Sequence, residues 1–281
     1  MNATGKISET RKLLDAARHE GLRVGFVPTM GALHAGHVSL IERARTENGY
    51  VVVSIFVNPA QFGANEDLSK YPRTFADDLE ACMAAGADLV FHPDADEMYP
   101  PDATTTITVG GVTEPMEGEH RPGHFDGVAL VCTKLFNIVG ECSAYFGEKD
   151  AQQVRVIERV VSDLDLPVDV VRCPTVRDSD GLALSSRNRY LSADERERAL
   201  SLSRALRAVE TGVTSGERST SALLDEARQL LDADAVDYFE IVDPVTLARV
   251  ATVDGPVLVC GAIRIGTTRL IDNITVGGRQ A

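Results

Sequence analysis

The sequence predicts an α/β protein, a Rossmann-like doubly wound parallel sheet with a smaller α+β C-terminal domain. Three observations predict it. Short apolar runs alternate with helical patterns up to about residue 175, the order that βαβ units produce. One of these runs, Val51–Val57 (VVVSIFV), is apolar almost throughout, as in a strand buried on both faces of a parallel sheet. Beyond residue 176 the strands alternate more strongly and lie closer together, which marks a change of architecture. A chain of 281 residues suits two domains, expected at 1–175 and 176–281.

The elements follow from local pattern. Arg23–Pro28 reads as the first strand of the sheet, and His37–Thr46 as the helix after it. After the strand at Val51–Val57, Tyr71–Ala85 reads as helix and Asp88–His92 (DLVFH) as strand. Val128–Val139 reads as helix and Ala144–Phe146 as a short strand. From Ala151, the positions Val154, Ile157, Val160 and Val161 recur at helical spacing, and Val168–Val176 returns as strand. In the C-terminal domain, helices are expected at Ala193–Glu210 and Thr220–Leu231, then strands at Val236–Val242, Val257–Ile265 and Arg269–Val276.

Charge narrows the function. Lys and Arg number 28 against 42 Asp and Glu, a net charge of −14, so long-range attraction to nucleic acid or to an anionic membrane is excluded. Any phosphate handled here must meet a few local cations. The opening residues MNATGKISETRKLLDAARHE are polar, without the apolar core of a signal peptide. No stretch approaches the roughly 18 apolar residues that span a bilayer. Five cysteines, Cys82, Cys132, Cys142, Cys173 and Cys260, are scattered without a CxxC, which suits reduced thiols in a cytoplasmic protein.

A doubly wound sheet invites a nucleotide, yet GxxxxGK[ST] is absent, as is GxGxxG after the first strand. That strand is followed instead by Pro28-Thr29-Met30-Gly31-Ala32-Leu33-His34-Ala35-Gly36-His37. The HxGH unit falls where a helix N-terminus offers unpaired N–H groups and a positive dipole end to an anion. Gly31 and Gly36 allow close approach of backbone to ligand, and His34 and His37 offer imidazole donors to phosphates. Two histidines capping a helix would be the structural alternative. Zinc is disfavoured, since HExxH and a third ligand are missing.

Three further segments fall at strand ends. Asn58-Pro59-Ala60-Gln61-Phe62 offers uncharged hydrogen-bonding groups for a small polar substrate, or simply forms a turn. Gly147-Glu148-Lys149-Asp150-Ala151-Gln152-Gln153 offers Lys149 to a phosphate, with Gln153 on the first turn of a helix. Leu184-Ser185-Ser186-Arg187-Asn188 offers hydroxyls and a guanidinium fork, or forms a solvated linker. No Ser-His-Asp or Cys-His arrangement is legible, so a covalent side-chain nucleophile is not indicated. His34, His37, Lys149 and Arg187 together suit phosphoryl or nucleotidyl transfer, in which positioning and charge stabilisation carry most of the catalysis.

The segments PTMGALHAGH, SIFVNPAQF, YPRT, RPGHF, FGEKDAQQ, PTVRDSDGLALSSRNRYL and GTTRLIDN, in this order, closely resemble the pantoate–β-alanine ligases, from about Val24 to Asn273. HxGH alone marks a wider superfamily of nucleotidyltransferases and class I aminoacyl-tRNA synthetases; the other segments are far more selective. The resemblance implies an ATP-dependent, Mg²⁺-assisted ligase that makes pantothenate through a pantoyl-adenylate and releases AMP and pyrophosphate. It implies a homodimer whose C-terminal domain closes as a lid. By the same resemblance Met30, Gly31, Ala32, Leu33, His34, Ala35, Gly36 and His37 line the ATP site, with His37 at the position described as proton donor. Gly147, Glu148, Lys149 and Asp150 match the nucleoside-binding segment, and Val176 an adenine-side contact. Leu184, Ser185, Ser186 and Arg187 match the loop over the phosphates. Gln61 and Gln153 match the pair that holds pantoate, Gln61 also lying near β-alanine, and Asp77 matches an acidic position near the magnesium, reached through water. Two positions depart from the common pattern, Ala151 where Tyr is usual and Leu184 where Met is common; neither supplies catalytic chemistry.

Another HxGH nucleotidyltransferase acting on a small cofactor precursor is the alternative, but a phosphorylated substrate would need more cations than Asn58, Gln61 and Gln153 provide. A tRNA synthetase is disfavoured by the acidic balance. A nucleotide-sensing module would bind ATP and release no AMP.

Overall fold

The computed structural model describes residues 1–63 and 68–277. In chain order its helices and strands are β1 (Asn2–Thr4), α1 (Ile7–His19), β2 (Val24–Thr29), α2 (Ala35–Glu47), β3 (Tyr50–Ile55), α3 (Phe75–Ala84), β4 (Leu89–Phe91), α4 (Ala95–Met98), α5 (Glu117–His120), α6 (His124–Val139), β5 (Cys142–Gly147), α7 (Ala151–Asp163), β6 (Val168–Cys173), α8 (Ala193–Thr214), α9 (Thr220–Arg228), β7 (Ala235–Val242), β8 (Val257–Ile265) and β9 (Thr268–Val276). They form two compact units. The first comprises 1–113, 121–148 and 153–174; the second gathers the chain from Thr175 onward with two short segments, 114–120 and 149–152.

The first unit is the Rossmann-like sheet that the sequence predicts. Its six strands run parallel in the order β1-β4-β3-β2-β5-β6. From β2 the chain moves outward through β3 to β4, then returns to the other side of β2 as β5 and β6. The order therefore reverses between β2 and β5, the place where open α/β sheets bind ligands at the C-terminal ends of the strands. Both faces are covered. Phe26, Val52, Leu89 and Phe91 pack with α1 and α6 on one side, and Val27, Val51, Val53 and Val90 with α2 and α3 on the other. This two-sided burial is why the strand reads as an apolar run, although β3 ends at Ile55, short of the expected Val57.

Several boundaries differ from the sequence expectation, each for a local reason. The helix expected from Tyr71 begins at Phe75, because Pro72 pushes Tyr71 out of the α region. The strand expected to reach Val176 stops at Cys173, where Pro174 has no N–H for the ladder. Helix α6 begins earlier than expected, at His124, behind Gly123 at φ +80°. Helix α1 leaves little apolar periodicity in the sequence. Its buried stripe is only Thr10, Leu14 and Ala17, one of them polar, under a strongly charged outer face.

The second unit packs α8 and α9 on the antiparallel sheet β7-β8-β9. Helix α8 starts with a reciprocal cap written in the sequence as Ser-Ala-Asp-Glu. Ser192 Oγ accepts from Glu195 N at 3.3 Å and Glu195 Oε2 accepts from Ser192 N at 2.8 Å. Segment 114–120 is tied to the sheet by a buried ionic group. Arg269 donates to both Glu117 oxygens at 2.7 and 2.8 Å, and the Tyr238 hydroxyl donates to Glu117 Oε1 at 2.8 Å. Asp237 takes Arg269 Nε at 2.6 Å and also pairs with Arg264. Burial alone would lower the Arg269 pKa, but the Glu117 and Asp237 bonds outweigh it and raise it. All five cysteines are buried and free. Among the described residues, no helix is long and apolar enough to cross a membrane.

Removing one partner of a buried ion pair strands the other charge, at a cost of about 3–5 kcal/mol. Glu117→Ala should destabilise the protein by about 3 kcal/mol, at the low end because Asp237 still pairs with Arg269. Denaturant unfolding measures the loss; a change below about 0.5 kcal/mol would refute it.

Candidate active site

The turn from β2 into α2 is built from backbone geometry. Gly31 and Ala32 both adopt positive φ, +84° and +52°. For Ala32 that conformation is unfavourable, and side chains hold it. The carboxylate of Asp78, on α3 and only 2% exposed, accepts Leu33 N at 2.7 Å and Ala32 N at 3.0 Å. Thr74 Oγ1 donates to the same carboxylate at 3.3 Å. A Cβ on Gly31 would lie 2.9 Å from Asp78 Oδ2, so glycine is required both for its φ and for this contact.

The turn delivers His34 as the N-cap of α2. His34 Nδ1 accepts from Gly36 N at 3.2 Å, and His37 Nδ1 accepts from His34 N at 3.4 Å. With Nδ1 occupied as an acceptor, a neutral imidazole carries its proton on Nε2. The rings sit 4.1 Å apart at 35° beside the N-terminus of α2, and imidazole N–H groups at a helix N-terminus suit polyanionic oxygen.

The turn after β3 ends at the same sheet edge. Asn58 is 1% exposed and uses its whole amide within the protein. Its Oδ1 accepts from Ala60 N at 3.2 Å and the Tyr99 hydroxyl at 2.8 Å. Its Nδ2 donates to Gln61 Oε1 and to Gly127 O, both at 3.1 Å. Gln61, 8% exposed, turns its Nε2 toward Met30 Sδ at 3.1 Å. His124 Nδ1 holds the Gln61 carbonyl at 2.9 Å, while Arg121 Nη1 lies 3.0 Å from its Nε2. A guanidinium only donates, so the His124 proton is on Nδ1. At Gly127, α6 runs against this turn so closely that a Cβ would overlap the Ala60 carbonyl and lie 2.6 Å from Gln61 Cα.

β5 runs parallel beside β2 and ends at Gly147, followed by a 3₁₀ turn over Glu148–Asp150 and then α7, whose first turn carries Gln153. The first unit thus brings Met30–His37, Gln61, Gly147 and Glu148 to one edge. The second unit holds Lys149, Asp150, Val176 and Leu184–Arg187. There, residues 176–184 form a tight hairpin, with Leu184 N donating to Val176 O at 3.0 Å, rather than an open linker. Ser185 caps the 3₁₀ turn that carries Arg187. Strand β9 anchors both pieces. Asp272 pairs in two bonds with Arg177 at 2.7 and 2.8 Å, and Asn273 Nδ2 donates to Lys149 O at 2.8 Å.

Magnesium held chiefly by substrate phosphates needs only one or two carboxylates and keeps several waters. Asp77 is exposed on the first turn of α3 and fits that role as a single outer contact. Among the described residues, no group of three His, Cys, Asp or Glu side chains forms a metal site. The sequence reading missed Asp78, next to Asp77, and also Tyr99 and Gly127. A signal for Asp78 exists, since Asp78 and Cys82 lie four residues apart on the buried side of α3, with Thr74 as its N-cap four residues before Asp78.

A family model described as pantoate-beta-alanine ligase matches residues 2–275. The chain belongs to the pantoate–β-alanine ligase family. Members of this family are ligases that form pantothenate. A pantothenate synthetase of Acidobacterium capsulatum is 53% identical, over 92% of this chain and 87% of its own. The crystal structure of the Thermus thermophilus enzyme superposes with a TM-score of 0.93 at 46% identity, covering 98% of this chain and 99% of its own. That of the pantoate–β-alanine ligase from Francisella tularensis, complexed with β,γ-ATP and β-alanine, superposes with a TM-score of 0.81 at 32% identity, over 98% and 97%.

Two substitutions test this construction. Asp78→Asn replaces one acceptor with a donor facing an N–H, and should cost about 1–3 kcal/mol. It should also shift the NMR imidazole signals of His34 and His37 but not those of His19; unmoved His34 and His37 signals would show that Asp78 does not shape the turn. Gly127→Ala forces α6 and the Asn58–Gln61 turn apart, and should cost about 1–3 kcal/mol by denaturant unfolding. A neutral Gly127→Ala would contradict the close approach.

Proposed function

We propose that the chain condenses pantoate with β-alanine in two steps, using ATP to activate the carboxylate. The observation that carries this reading is the His34–His37 imidazole pair, with rings 4.1 Å apart at the N-terminus of α2, in a member of this ligase family. A carboxylate is a poor acyl donor because oxide cannot leave. In the first step a pantoate carboxylate oxygen attacks the α-phosphorus of ATP, the bond to the bridging oxygen breaks, and pyrophosphate departs. In the second, the neutral amine of β-alanine attacks the mixed anhydride, loses a proton, and AMP leaves with the electron pair of the acyl–oxygen bond.

In this reading Met30–His37 and Gly147–Asp150 hold the nucleotide, with Val176 beside adenine. His34, His37, Lys149 and Arg187 stabilise the charge that develops on the phosphates, with Leu184, Ser185 and Ser186 closing over them. Gln61 and Gln153 hold pantoate, and Asn58 aligns Gln61 behind it. Mg²⁺ neutralises phosphate charge when bound, with Asp77 as its outer contact. The C-terminal domain acts as a lid that keeps water from the anhydride. The ATP and β-alanine bound to the Francisella tularensis relative support these substrates. A cytoplasmic homodimer completes the reading, supported by buried free thiols and by the family resemblance.

Given Mg²⁺ and pantoate without β-alanine, the enzyme should exchange labelled pyrophosphate into ATP. Lys149→Ala should slow this exchange more than it slows attack of β-alanine on preformed pantoyl-adenylate, because pyrophosphate takes no part in the second step. Exchange that appears only when β-alanine is added would replace the two-step route with a concerted one.

A further inference from the structure

Tyr99 follows the short helix α4 and lies away from every segment read as functional in the sequence. Its hydroxyl nevertheless ends on Asn58 Oδ1, at 2.8 Å. The orientation of the Asn58 amide is dictated by two backbone groups whose polarity cannot reverse. Ala60 N–H must donate, so it faces Oδ1, and the Gly127 carbonyl must accept, so it faces Nδ2. The second hydrogen of Nδ2 goes to Gln61 Oε1. That bond orients the Gln61 amide in turn, with Oε1 inward and Nε2 outward. The protein's partner for Nε2 is a thioether, Met30 Sδ, a weak acceptor that a substrate oxygen readily replaces.

We propose that Tyr99 is a positioning residue for substrate selection, which through Asn58 holds the Gln61 amide with its donor end toward pantoate. The inference rests on the reading of Gln61 as a pantoate-holding residue. Donor polarity runs one way along the series, from the Tyr99 hydroxyl to Asn58, from Asn58 to Gln61, and from Gln61 to the ligand. The site therefore accepts an oxygen with lone pairs, as on a carboxylate or hydroxyl, and turns away a ligand presenting N–H there. Both lone-pair positions of Asn58 Oδ1 are filled, one by backbone and one by Tyr99. Without the phenol, Asn58 keeps a single donor on that oxygen and its plane can swing, which loosens Gln61. The Tyr99 ring is steadied against Phe56, with centroids 6.1 Å apart. Burial pushes the Tyr99 phenol well above its ordinary pKa, so the hydroxyl keeps its proton across the working pH range.

A double-mutant cycle tests this, with pantoate and ATP dissociation constants measured by calorimetry on Tyr99→Phe, Gln61→Ala and the double variant. Tyr99→Phe should weaken pantoate about three- to tenfold, the scale of one hydrogen bond, and leave ATP unchanged. On the Gln61→Ala background the same substitution should have no further effect, because nothing remains to orient. A Tyr99→Phe effect that persists in full on that background overturns the inference, as does the absence of any effect in the single variant. If Gln61→Ala itself leaves pantoate binding unchanged, the assignment of Gln61 fails and the inference falls with it. Should Tyr99→Phe fold poorly by thermal melting, Asn58→Asp serves in its place. It keeps the shape but faces Gln61 Oε1 with an acceptor, and should weaken pantoate more than tenfold while sparing ATP; unchanged pantoate affinity overturns the inference.

Discussion

Burial of β2 and β3 on both faces is the constraint on which the rest of the first unit depends. A parallel strand covered on both sides has no side-chain face left for polar chemistry, so functional groups collect where strands end. Each of β2, β3 and β5 hands the chain directly to a segment of the candidate site. Reversal of strand order between β2 and β5 then spreads the following connections to opposite sides, which leaves space at this edge for a ligand.

Within that edge the exact placement of polar groups comes from backbone polarity rather than from charge. Asp78 satisfies two amides that a left-handed turn leaves without helical partners, and Asn58 joins a backbone donor to a backbone acceptor. Groups anchored in this way have a defined orientation, because reversing them would bury an unpaired donor or acceptor at a cost of about 1–3 kcal/mol each. The side chains they present, His34, His37 and Gln61, inherit that orientation.

The second unit uses charge instead. Arg177–Asp272 and Arg269–Glu117 are buried or half-buried pairs with two bonds each, and both fix connecting segments to the small sheet. Such pairs add little net stability over an apolar packing of the same volume, but loss of one partner strands the other charge at a cost of several kcal/mol. They hold the hairpin at 176–184 and the segment 114–120, which bury few apolar side chains of their own.

The sequence by itself determined the strand and helix alternation, the sheet class, the family motifs and most of the residues at the strand ends. Periodicity and short motifs encode those features locally: VVVSIFV for a doubly buried strand, HxGH for the turn into α2, Ser-Ala-Asp-Glu for the start of α8. Tertiary structure alone decided which polar residues act behind the site. Asp78 and Asp77 are adjacent and chemically identical in the sequence, yet one is buried under the β2–α2 turn and the other is exposed. Asn58 reads as a ligand contact until Tyr99 and Gly127, 41 and 69 residues away, are seen to occupy its amide. The physical reason is range. A helix or strand pattern repeats within a few residues, whereas a hydrogen bond that fixes an amide joins groups brought together only when the sheet closes on its helices.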